Sequence, residues 1–207
     1  MPGARPATPP SLAAALLAAA LLAGCADAPF PSPTEETTAQ EMGAAAAEQL
    51  SGTLVRHLMA ALDSAGPAGA IEFCSREALP LTRQAAATVG SVDVKRTSGR
   101  VRNPANAPDS LERAALEYFE AQALAGGALP ASWLQVEGDV ALRYYRPLVV
   151  NELCVQCHGP VTSLAPEVLE ALSARYPSDQ ATGYLPGDFR GLIRVRIPRE
   201  ALEGAGS

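Results

Sequence analysis

The chain is poor in the side chains that bind metals. Its 207 residues hold two histidines, four cysteines and three methionines, and no Met, His or Cys occurs after His158. That absence excludes the small-cytochrome layout, in which an early attachment motif is followed by a methionine ligand. A closed zinc site takes four ligands, and the rest of the chain is poor in them. Cations are outnumbered: 16 Lys and Arg stand against 22 Asp and Glu, for a net charge of −6. A chain of this balance is a poor partner for nucleic acid, whose phosphates must be neutralised. No apolar run reaches the roughly 20 residues that span a bilayer, and there is no internal repeat.

What the chain does hold is one Cys-x-x-Cys-His pentapeptide, Cys154-Val155-Gln156-Cys157-His158, followed by Gly159 and Pro160. This spacing is the attachment signal of covalent c-type haem. Two thiols three positions apart reach the vinyl groups of one porphyrin, and the adjacent imidazole is held as an axial ligand of the iron. A redox dithiol or half a zinc site are the alternatives. The histidine directly after the second cysteine favours haem, and only Cys25, Cys74 and His57 remain elsewhere as thiol or imidazole ligands. The motif occurs once, so the expectation is one haem c.

Haem c is attached outside the cytoplasm, so the chain needs an export signal. Arg5 and the Ala/Leu-rich run over 11–23 read as a signal peptide over 1–24. The run ends in Leu22-Ala23-Gly24-Cys25, which resembles a lipobox, and Cys25 is the candidate lipidation site. Ala26 follows, with no Asp at that sorting position, which implies an outer-membrane lipoprotein facing the periplasm. A lipid on the terminus anchors a protein to the membrane without spanning it. Cleavage would remove only Arg5 among charged residues and take the net charge to −7. Residues 25–38 contain Pro29, Pro31 and Pro33 and read as a flexible tether. Residues 39–200 then form one domain, and 201–207 a disordered tail.

Within the domain, Leu50, Leu54, Leu58 and Leu62 mark the buried stripe of a helix over 38–63, with His57 beside it. Gly66 and Pro67 break it. A second helical stretch over 70–87 is expected to be interrupted at Pro80. Val92 to Lys95 alternate as a short strand. Asn103 to Pro108 read as a loop, and Asp109 or Ser110 caps a helix to Ala123 with Glu112 in its first turn. Residues 132–150 read as two strands joined at Glu137-Gly138-Asp139. A helix over 166–176 and a strand over 191–197 complete a mixed α+β pattern of four or five strands.

A second axial ligand must come from upstream of the motif, where the candidates are Met42, Met59, His57, Cys74 and Lys95. Cys74 stands among apolar neighbours in Ala70-Ile71-Glu72-Phe73-Cys74-Ser75. With Cys25 given to lipid and Cys154 and Cys157 to haem, it has no disulfide partner. On the residues alone it is either a ligand or a buried small hydrophobe.

Several strings carry a resemblance. They are Ala70-Ile71-Glu72-Phe73-Cys74, Lys95-Arg96-Thr97-Ser98, Arg102-Asn103-Pro104-Ala105-Asn106-Ala107-Pro108-Asp109, Tyr144-Tyr145-Arg146-Pro147-Leu148, the haem motif with Gly159, and Tyr176-Pro177-Ser178-Asp179-Gln180-Ala181-Thr182-Gly183-Tyr184 with Gly187-Asp188-Phe189-Arg190-Gly191. In these the chain resembles the family of single-haem c-type proteins with a PAS-like fold and His/Cys axial ligation, catalogued as a domain of unknown function. The resemblance covers about 45–197. It implies a five-stranded antiparallel PAS-like sheet flanked by helices, with His158 as proximal and Cys74 as distal iron ligand. A thiolate ligand donates electron density and lowers the iron potential. Arg96, Arg100 and Arg102 are candidates to pair with the haem propionates, since a guanidinium matches a carboxylate bidentately. Asn103, Asn106 and Asp109 are expected to fix their loop and cap the following helix.

The functional expectation is redox or small-gas (CO or NO) sensing, because a thiolate that leaves the iron opens a site. No output domain accompanies it, so a signal would pass to a partner. The competing expectation is a periplasmic electron-transfer cytochrome with a redox partner protein. An enzyme such as a peroxidase is not expected, because the only further histidine to serve as a distal acid or base is His57.

Overall fold

The structure, a computed structural model, describes Gly3 and residues 30–204. The expected signal peptide and the candidate lipidation site Cys25 therefore lie outside the described residues. The described residues from 31 to 204 belong to one compact unit.

Helix α1 runs Pro33–Ala87 and bends at Gly66, whose φ of 64° and ψ of −175° lie outside helical space. Pro67 follows and has no N–H to continue the ladder. The expected break is thus a kink between two limbs of one long helix, and Pro80 is carried inside the second limb. The helix also begins earlier than its hydrophobic stripe. Ser32 and Glu35 form a capping box, the Ser32 Oγ accepting from Glu35 N at 3.2 Å and Glu35 accepting from Ser32 N at 2.7 Å. Pro33 fits the first turn, where its missing N–H costs nothing. Residues 33–38, read as tether from their composition, are therefore helical.

Four strands follow: β1 (Asp93–Thr97), β2 (Trp133–Glu137), β3 (Ala141–Val149) and β4 (Phe189–Pro198). They form an antiparallel sheet in the order β1-β4-β3-β2. The described residues hold these four strands and not the five that the resemblance implies. Helix α2 (Ser110–Leu124) starts at a capping box between Asp109 and Glu112. The single-turn α3 (Val155–His158), α4 (Pro166–Arg175) and α5 (Arg199–Gly204) complete the fold.

Strand alternation assigns the two sheet faces. Val94, Leu142, Tyr144, Ile193, Val195 and Ile197 pack against Ala39, Ala46, Ala47, Leu50, Ala85 and Ala86 of α1. Alanines and Gly43 let the helix lie close: a Cβ on Gly43 would fall 2.2 Å from Tyr144 Cγ. Tyr145 and Leu192, on the other face, pack against Ala115, Leu116 and Phe119 of α2. Leu202 of α5 joins the α1 core and is 4 % exposed, and Arg199 pairs with Glu35 at 2.8 Å. The segment from 201 to 204, expected to be tail, is held to the domain by these contacts. The Leu stripe of α1 divides along its length. Leu50 and Leu54 pack on the sheet, while Leu58 and Leu62 face a cleft beyond it.

Candidate functional site

The Cys-x-x-Cys-His turn is built by its own side chains and by two flanking segments. Asn151 Oδ1 accepts from the N–H groups of Leu153 (3.0 Å) and Cys154 (3.2 Å) and from the Cys154 thiol (3.1 Å). These satisfy donors that the start of a helix leaves open. The turn closes with His158 N to Cys154 O at 2.9 Å and Gly159 N to Val155 O at 2.9 Å. A side chain at 159 would place its Cβ 2.6 Å from Val155 O, so glycine is required there, and Pro160 prevents the helix from continuing. The segment after α4 then runs alongside. Gly183 N donates to Gly159 O (2.7 Å) and Tyr184 N to His158 O (2.9 Å).

Arg102 buckles the turn to that segment. It pairs with Asp179 at 3.0 Å and donates to Cys157 O at 2.6 Å and Ala181 O at 3.3 Å. Ala181 O also lies 2.6 Å from His158 Nδ1. A carbonyl only accepts, so Nδ1 carries the proton and Nε2 keeps its lone pair for a metal. Desolvation, with Arg102 and Arg190 nearby, pushes the His158 pKa down to about 3, which keeps the ring neutral as a ligand must be.

The turn forms one wall of a cleft of about 280 Å³. Cys154, Cys157 and His158 line it, and so do Cys74 and Ile71 from the second limb of α1 and Leu58 and Leu62 from the first. Arg96, Leu148 and Arg190 reach it from the sheet, and Arg102, Asn103, Asn106 and Tyr176 from the connecting segments. Packing of Ile71 against Leu164 and against Val168 and Leu172 of α4, with Cys157 at the edge, fixes the helix that carries Cys74. A pairing of Arg175 with both carboxylate oxygens of Glu72 clamps α4 to the same limb. Burial raises the Cys74 thiol pKa, against the pull of Arg96 and Arg102.

The other candidate ligands are elsewhere. Met42 packs on the α1 core and Met59 is 40 % exposed. His57 is exposed and stacks on Phe73, with ring centroids 6.0 Å apart. Lys95 is paired with Glu112 at 2.7 Å. Cys74 is the one of the five that lines the cleft. The three described cysteines are free, and no group of three or more His, Cys, Asp and Glu among the described residues is placed to hold a metal ion, so the zinc alternative finds no ligand set.

The three arginines separate. Arg100 is outside the cleft: it donates to Gln180 O at 3.1 Å and to Thr182 O, and lies over the Tyr184 ring. Arg102 lines the cleft but is occupied by the buckle. Arg96 lines it and makes no hydrogen bond or ion pair among the described residues, and its Nε is buried without a partner. Asn103 caps a short 3-10 turn (Pro104–Asn106) through Ala105 N at 3.0 Å. Asp109 caps α2. Arg190 was not singled out from sequence. It sits before Gly191, whose φ of 150° and close approach to Thr97 O bring this edge of β4 against β1, but the sequence has no local signal that its side chain reaches the cleft.

The cleft therefore combines two thiols and a neutral imidazole from one turn, a third thiol from the long helix, and guanidiniums with no Asp or Glu in the lining. That donor set fits a flat iron porphyrin with acidic side groups: thiols to attach it, one nitrogen and one sulfur to ligate it, and cations to meet its carboxylates. Fold and cleft define a mixed α+β protein with a Cys-x-x-Cys-His turn walled into a cationic cleft. The chain belongs to the Tll0287-like family, whose model matches residues 34–198. Among solved structures it is similar to the crystal structure of the cyanobacterial heme-protein Tll0287, with a TM-score of 0.57 and 23 % identity over 82 % of this chain and 98 % of that one. No curated protein matches.

Proposed function

We propose that the protein carries one covalently attached haem c, bound through Cys154 and Cys157 and ligated by His158 and Cys74, and that it senses redox state or a small ligand at the cell envelope. The observation that carries this reading is the placement of Cys74 across one cleft from a Cys-x-x-Cys-His turn whose histidine offers Nε2. Relationship to a haem protein and the fit of the donor set support it. When bound, the haem would supply the redox chemistry and the site for a diatomic ligand. The chain's residues hold and tune it. Asn151 and Arg102 shape the attachment turn, Ala181 O sets the His158 tautomer, and Ile71 and the Glu72–Arg175 pair hold the Cys74 helix. The role is one of binding and signalling rather than catalysis. The Leu22-Ala23-Gly24-Cys25 string supports anchoring in the outer membrane through a lipid on Cys25, facing the periplasm.

Expression with export and haem-attachment machinery tests the cofactor. One haem per chain should survive acid–acetone extraction and give a c-type pyridine haemochrome, and Cys154→Ala with Cys157→Ala should release it. Extractable haem in the unaltered protein would refute covalent attachment. The second reading is an electron carrier, which one haem held between two protein ligands, His158 and Cys74, would suit. Ready binding of CO by the reduced protein supports sensing, whereas inert iron with fast electron exchange supports transfer.

A further inference from the structure

The cleft is cationic in an acidic protein. Arg96, Arg102 and Arg190 line it and no lining residue is Asp or Glu, although the chain's net charge is −6. Their commitments differ. Arg102 is neutralised by Asp179 at 3.0 Å. Arg190 stands on the His158 side, donating to Ser98 Oγ at 2.6 Å and lying 5.2 Å from the Tyr184 ring centroid. Arg96 has no such partner. It is set by β1 on the same sheet face as Val94, the face that α1 covers, and its electrostatic neighbours are Cys74 and Tyr176. The Tyr176 hydroxyl, which lines the same cleft, also makes no hydrogen bond among the described residues.

On the reading of Cys74 as the distal ligand, we propose that the position Cys74 vacates on leaving the iron is a site for small anions, held by Arg96 with Tyr176 as a second donor. A guanidinium whose Nε is buried and which no carboxylate among the described residues neutralises strengthens a hydrogen bond to an anionic ligand and gives little to a neutral one. The pair would therefore select by charge. This narrows the sensing reading from uncharged gases to ligands such as azide-like or nitrite-like anions.

The test uses the full-length ferric holoprotein carrying Cys74→Ala, which opens the position while the thioethers retain the haem. Azide and imidazole, one anionic and one neutral, are titrated spectroscopically. Adding Arg96→Gln should raise the azide Kd by about tenfold, equivalent to about 1.4 kcal/mol, and leave the imidazole Kd within about a factor of two. Tyr176→Phe should move azide in the same direction by a smaller factor. Parallel loss of both ligands would mean that Arg96 pairs with a haem propionate or shapes the cleft, and would overturn the anion site alone. Unchanged azide binding would do the same. A Cys74→Ala spectrum identical to the unaltered protein would overturn the distal assignment and the anion site together.

Discussion

Replacing Arg102 should do more damage than its partly solvent-facing position implies. Its side chain is 14 % exposed and that of Asp179 is 9 % exposed, so the pair is largely desolvated. Arg102→Ala removes the ion pair and the donors to Cys157 O and Ala181 O, and leaves a buried carboxylate without its cation. Breaking one partner of such a pair costs about 3–5 kcal/mol, a large share of the roughly 5–15 kcal/mol that holds a domain folded. Asp179 also accepts from Ala181 N at 2.8 Å, so the segment that orients His158 loosens with it. The assay is urea unfolding of Arg102→Ala, Asp179→Ala and the double variant. The double variant should recover 1 kcal/mol or more relative to the sum of the singles, since it no longer strands a charge (about the coupling of contacting residues). Haem content per chain should fall in the Arg102→Ala protein. A loss below about 1 kcal/mol, the level of an exposed pair, with normal haem content, would refute the buckle.

Three further outcomes follow from the packing. Glu112 is fully buried and accepts from Lys95 at 2.7 Å, Arg194 at 3.1 Å and Asp109 N at 2.9 Å, so Glu112→Ala should cost about 3–5 kcal/mol in denaturant unfolding. Gly43→Ala should destabilise by roughly 1–2 kcal/mol, although Gly→Ala in an open helix gains about 1, because its Cβ would overlap the buried Tyr144 ring. Glu137 has its pKa lowered below 4.5, first by its hydrogen bond from Arg143 and also by Arg196. A depressed carboxylate contributes stability that is present above pH 4.5 and lost as the pH falls through the lowered native value. Glu137→Gln should therefore flatten the acid side of the stability profile, and an unaltered profile would contradict the assignment.

Local signals in the sequence carried much of the fold. The Asp109/Glu112 capping box, the Glu137-Gly138-Asp139 turn with Gly138 at φ 57°, and the alternation of Leu192, Arg194 and Arg196 against Ile193, Val195 and Ile197 each correspond to an observed element. The haem motif and Cys74 were legible as chemistry, and the cleft brings them together. Less legible was what depends on distant contacts. The start of α1 at Pro33 rests on Ser32 and Glu35, inside a segment whose composition reads as linker, and Arg199 reaches back to Glu35 from the far end of the chain. Pro80 sits within the helix although its ring removes one ladder hydrogen bond, so proline alone did not mark a boundary there. The three arginines near Ser98 looked equivalent in sequence. Only the path of residues 179–184 shows that Arg100 and Arg102 are consumed by backbone carbonyls and Asp179 while Arg96 is not.

The most direct test of the account is the ferric spectrum of the exported protein with and without Cys74→Ala. Low-spin His/thiolate features in the unaltered protein that disappear in the variant, with covalent haem retained through Cys154 and Cys157, are the predicted result. An identical spectrum in both proteins would contradict it.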